Sequence, residues 1–174
     1  MNENPLYQEE ENQPVKTAKP KAMKVESPLD KLLMLIATKV EIPEVLLEVP
    51  SRPGVKLRIS PNVSQQQIRA WRKNAGEDSK HGMDSTKFGA YVIGHTTVGI
   101  IINNEDVEED GHPMNFASAS IMAATDTTRP VPDAVRAFFG VDAHIESAAL
   151  AILDASGYGD TVEVEDPTKE SSIN

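Results

Sequence analysis

The residues that could do chemistry are few, and their spacing does not suit them to it. Four histidines, His81, His95, His112 and His144, could serve acid–base catalysis or metal binding. No two stand four apart, the spacing that brings two imidazoles onto one helical face, and none sits in a metal motif. His95 falls on an apolar helical face and reads as a histidine at the edge of the core. The acids Glu105, Asp106, Glu108, Glu109 and Asp110 could attract a hard cation such as calcium. They lack the alternating ligands and distal glutamate of a calcium loop, so Glu105 to Gly111 reads as a solvated acidic turn. Cysteine is absent, which excludes disulfides, a thiolate metal site and a cysteine nucleophile. No G-x-S-x-G elbow presents a serine, and neither glycine-rich phosphate loop occurs. Gly157-Tyr158-Gly159 follows a helix, whereas phosphate is held at the start of one. The expectation is a protein that is not an enzyme and uses no metal or cofactor.

Binding residues are easier to name. Arg52, Lys56, Arg58, Arg69, Arg72, Lys73 and Lys80 crowd a segment opposed only by Glu77 and Asp78. Together with Trp71 they could form a nucleic-acid face. The preferred reading is a solvated basic face on an acidic protein, able to meet an acidic partner. The formal charge of −10 and pI near 4.8 oppose binding to phosphate backbones and anionic membranes. Trp71, Arg69, Arg72 and Lys73 are kept as candidate partner contacts, together with the aromatic pair Phe138 and Phe139. No apolar run approaches a membrane span and no signal peptide opens the chain, which with the lack of cysteine suggests a cytoplasmic protein.

These residues must be positioned by elements the sequence announces. Residues 1–26 are polar and proline-containing and read as a disordered arm. Ser27-Pro28-Leu29-Asp30 opens a helix with a serine cap, a proline at its first position and an acid three residues on. Leu29, Leu32, Leu33, Ile36 and Val40 give it an apolar stripe, expected in the core. Glu44 to Pro50 and Val55 to Ser60 read as a β-hairpin turned at Pro53-Gly54. Ser64 to Gln67 is a capping box for a helix carrying Ile68 and Trp71. A second helix capped by Asp84 or Ser85 turns Phe88, Tyr91, Val92 and His95 inward. Thr97 to Asn103 is a buried strand, and Ser118 to Thr125 is a short helix. From Thr128 to Gly159 the chain reads as a helical hairpin. Pro132 opens it, Gly140 ends its first helix, Asp142 caps its second, and Ile145, Ala148, Ala149 and Ile152 form a helical face. Residues 160–174 form an acidic tail. The expected architecture is α+β: a mainly helical single domain over residues 27–159, with a small sheet of one hairpin plus one strand.

Several of these segments carry a family resemblance. The run RISPNVSQQQIRAWRKNAGEDSKHGMDSTKFGAYVIGHTTVGIIINNEDV, then TRPVPDAVRAFFGVDAHIESAALAILDASGYGD and the terminal EDPT, resembles tail assembly chaperones of long-tailed, siphovirus-type phages of actinobacteria. The resemblance spans about Pro50 to Thr168. It implies a non-enzymatic protein that binds the tape measure protein and keeps it soluble while tail-tube subunits polymerise around it. It also implies a longer, frameshifted form of the same chain, and a place in the host cytoplasm rather than in the finished virion. The competing expectations are a structural head–tail or tail-completion protein, and a DNA-associated regulator using the Arg52 to Lys80 face.

Overall fold

The computed structural model describes residues 27–38, 40 and 42–159. The arm at 1–26 and the tail at 160–174 lie outside the described residues. The chain divides into two units, Met1–Val40 and Glu41–Asn174.

The first unit contains helix α1, Pro28–Ala37. Its start follows the sequence: the Ser27 side chain accepts from the Asp30 N–H, and the Asp30 carboxylate accepts from the Ser27 N–H. The expected core stripe is not found, because α1 buries none of its residues.

The second unit is built on a sheet that corrects the expected fold. In place of a hairpin plus one strand there are five antiparallel strands in sequential order. They are β1 (Val45–Glu48), β2 (Val55–Ile59), β3 (Thr97–Ile102), β4 (Glu105–Glu109) and β5 (His112–Pro113). The presumed acidic turn is strand β4. Two hairpin turns explain the difference. Asn103 and Asn104 have φ of 50° and 69°, and Asp110 and Gly111 have φ of 53° and 77°. A two-residue turn with both φ positive matches the right-handed twist of its strands, and Asn, Asp and Gly adopt it most readily. The β1–β2 turn is as expected: Val55 N–H donates to Arg52 C=O across Pro53-Gly54, with Gly54 at φ 83°.

Register puts one row of apolar residues across four strands. Leu47 faces Leu57, Leu57 faces Ile100, and Ile100 faces Val107. Leu57 and Ile100 are buried. The other face carries Glu48, Lys56, Ile101 and Asp106 in a matching row. On that face the Arg58 guanidinium lies over Gly99 and reaches Asp106 at 2.9 Å. A Cβ at residue 99 would sit 2.7 Å from it, so glycine makes room for this bridge.

Five helices complete the unit: α2 (Gln65–Asn74), α3 (Ser85–Thr96), α4 (Ala119–Ala124), α5 (Asp133–Phe139) and α6 (Asp142–Ala155). Helix α2 starts at the Ser64–Gln67 capping box, and α3 at Asp84, whose carboxylate accepts from Lys87 N–H. Helix α3 turns Thr86, Gly89, Ala90, Val92, Ile93 and Thr96 fully inward; of the expected face only Val92 is buried, while Phe88 and Tyr91 pack half-buried against the core and His95 is exposed. The small Gly89 decides this, because it lets α6 approach until Ile145 and Ala149 would crowd any added Cβ at 3.1–3.2 Å. Ile145, Ala148, Ala149 and Ile152 are the buried face of α6, as their spacing indicates. Gly140 ends α5 in the left-handed conformation at φ 68°. Asp142 is the first residue of α6 rather than its cap, which is Val141.

Candidate partner-binding surfaces

The expected basic face does not form one surface of free charge. Lys56 and Arg58 lie on the outer face of the sheet, paired with Glu48 at 3.8 Å and Asp106 at 2.9 Å. Arg52 is used inside the unit: its guanidinium lies 5.0 Å from the Phe138 ring centroid, and its Nε donates to Phe138 C=O. Beside it, Ser51 Oγ donates to Phe139 C=O at 2.7 Å. The β1–β2 turn thereby satisfies carbonyls at the C-terminus of α5 and places a cation at its negative end.

Helix α2 carries the rest. Trp71 is 5% exposed and stacks on His95 at 5.5 Å, so its ring cannot receive a partner's base or side chain. Arg69, Arg72 and Lys73 are exposed on the same helix. Arg72 is bridged to Glu77 at 2.6 Å. Arg69 and Lys73 make no ion pair with any described residue. The aromatic pair divides. Phe139 is 1% exposed and belongs to the core, while Phe138 is half-buried with its edge against Phe116 at 5.2 Å. Neither ring is presented to solvent as a binding anchor.

His95, Glu109 and Glu146 are occupied by structural contacts. His95 stacks between Trp71 and Tyr91, and burial holds its pKa below the ordinary value. Glu109 accepts from Ser120 Oγ and from the N–H groups of Ala119 and Ser120, and so caps α4. Those hydrogen bonds, from the Ser120 side chain first, lower its pKa. Glu146 accepts from Ser85 Oγ at 2.6 Å and Thr86 Oγ1 at 3.0 Å, and is lowered in the same way.

Two apolar surfaces stand exposed, one of them the stripe expected in the core. The first is α1. Leu29, Leu32, Leu33, Met34, Leu35 and Ile36 are all exposed. At about 100° per residue, five consecutive apolar residues from Leu32 to Ile36 point around the whole helix. Packing against one flat neighbour would leave half of them in water. The helix has 10 residues. That is about 15 Å of rise, half of a bilayer's hydrocarbon core, and below the ~12–15 residues at which an isolated helix is even marginal in water. No helix among the described residues is long and apolar enough to cross a membrane.

The second surface is a groove of the Glu41–Asn174 unit, between α2, α3 and α6. Three adjoining hollows of about 420, 320 and 260 Å³ share their walls. Ile68, Met83, Phe88, Leu150, Leu153 and Tyr158 line them. Leu150 is 64% exposed. The Tyr158 hydroxyl donates to Val63 C=O at 3.0 Å, which fixes its ring at the groove's end. The missed signals are legible afterwards. Leu150 is a large apolar residue set between Glu146 and Asp154 on the outer face of α6, and Leu32 to Ile36 is too continuous for a one-sided stripe.

The chain matches no protein-family model, no curated protein and no solved structure.

Proposed function

We propose that the protein is a tail assembly chaperone, a non-enzymatic holder that binds the tape measure protein and keeps it soluble during tail-tube assembly. The observation that carries this reading is α1, a helix whose leucines, methionine and isoleucine are 49–72% exposed. Each such side chain gains roughly 1.5–3 kcal/mol when fully buried, so the helix is stabilised by being enclosed. A long, apolar, helical client offers that enclosure and gains cover for its own apolar surface in return. The charge of −10 then disperses the complex by self-repulsion. The family resemblance over about Pro50 to Thr168 supplies the identity of the client. On this reading the chain works in the host cytoplasm beside tail-tube subunits and a longer, frameshifted form of itself, and it leaves before the virion is complete.

Co-expression with the tape measure protein of the same phage tests the reading. The soluble yield of tape measure protein should rise, and mass spectrometry of purified virions should find no stoichiometric amount of this chain. Stoichiometric presence in virions would instead mark a structural tail or head–tail protein.

A further inference from the structure

The groove between α2, α3 and α6 has a charge pattern that says what can lie in it. Its floor is apolar, formed by Ile68, Met83, Phe88, Leu150, Leu153 and Tyr158. Its charged lining residues are mostly answered from within. Arg72 is held by Glu77 at 2.6 Å, and Glu146 by the hydroxyls of Ser85 and Thr86. Arg69, at the end lined with Gln65 and Tyr158, pairs with no other described residue. An occupant therefore needs an apolar stripe and one carboxylate near its end. The walls are helices with their backbone hydrogen bonds already made, so an extended strand would find no ladder to join. A helix satisfies its own backbone and presents only side chains.

We propose that this groove seats one amphipathic α-helix of the tape measure protein, its apolar stripe on the floor and an Asp or Glu side chain on Arg69. The assignment rests on the chaperone reading above and adds the site and the chemistry of the client helix. Two occupants from this chain fit less well. Segment 160–174 is acidic but offers only Val162, Val164 and Ile173 as large apolar residues. Helix α1 of a second copy is apolar, but its one carboxylate, Asp30, is already engaged with Ser27, and Lys31 stands beside it.

The test uses the full chain co-expressed with the tape measure protein of the same phage. A photo-cross-linking amino acid is placed at Leu150, and in a control at Leu46, which is exposed on the sheet. The Leu150 probe should cross-link to a tape measure segment with helical apolar spacing and a nearby acid, and the Leu46 probe should not. Leu150→Glu and Arg69→Glu should each weaken binding about tenfold or more while leaving urea unfolding unchanged, since both residues are exposed. Arg69→Lys should retain most of the affinity, and the Arg69→Glu effect should shrink at high salt. Cross-links from Leu150 to residues 160–174 or to a second copy would overturn the assignment. So would full binding by both Glu variants while the wild type binds. A wild-type chain that neither binds nor solubilises the tape measure protein would instead remove the chaperone reading, and the groove assignment with it.

Discussion

Phe138 and Phe139 are neighbours in sequence, yet their alanine variants should differ sharply. Phe139 is 1% exposed within the main hydrophobic cluster. Phe139→Ala removes a buried ring and leaves a cavity, a loss of about 3–5 kcal/mol. With a urea slope near 2 kcal/mol/M, the unfolding midpoint should fall by roughly 1.5–2.5 M. Phe138 is half-buried, and water can enter where its ring was. Its loss removes an edge contact with Phe116 at 5.2 Å and the Arg52 cation at 5.0 Å. These are worth about 0.5–1.5 and about 0.5–1 kcal/mol, so Phe138→Ala should cost about 1–2.5 kcal/mol. The sequence grouped the two rings as candidate partner contacts, and the structure divides them. The assay is equilibrium urea unfolding followed by far-UV circular dichroism. Phe139→Leu, which keeps most of the volume, covers the case in which the alanine variant fails to fold. A cost for Phe138→Ala equal to or above that for Phe139→Ala would refute the reasoning, as would losses below about 1 kcal/mol for both.

Three further outcomes follow from packing and titration. Gly89→Ala gains about 1 kcal/mol of helix propensity, but its Cβ meets Ile145 C=O and Ala149 Cβ at 3.2 Å, atoms that cannot rotate away. Overpacking of about 1–3 kcal/mol should win, and a raised melting temperature would contradict it. Glu146 is held below the ordinary carboxylate value of 4.5 by hydrogen bonds from Ser85 and Thr86. A depressed carboxylate stabilises the fold above its unfolded pKa, so stability should fall as pH drops below about 4.5, and Glu146→Gln should flatten that limb in pH-dependent unfolding. Burial lowers His95 from 6.5, so protonation opposes folding and stability should begin to fall as pH drops through 6.5. Trp71, stacked on His95, is the only tryptophan, so its fluorescence should report the titration, and His95→Gln should abolish the change.

Local structure was legible where one residue type has one physical use. The serine caps of α1 and α2, the left-handed Gly140 and the buried face of α6 were each read from a single spacing or a single residue. Strand β4 was not, because EDVEE has the composition of a solvated turn. Its strand character comes from its neighbours: pairing with β3, Val107 inward, and Asp106 meeting Arg58. The hairpin signals Asn103-Asn104 and Asp110-Gly111 were in the sequence and outweigh that composition. The basic segment misled because sequence proximity ignores direction. Alternation sends Lys56 and Arg58 to the outer face of the sheet, while the turn carries Arg52 over the C-terminus of α5. Of the groove only the outward Leu150 was readable, since Ile68, Phe88 and Leu150 come together only when α2, α3 and α6 pack.

The central claim is that this chain holds a long apolar client in solution through α1. The most direct measurement compares the soluble yield of co-expressed tape measure protein with the wild type and with a Leu32→Glu, Leu35→Glu variant. Both leucines are exposed, so the variant should unfold in urea like the wild type. The account predicts that the wild type keeps the tape measure protein in the supernatant and that the variant leaves it in the pellet. Equal soluble yields with both proteins would contradict it.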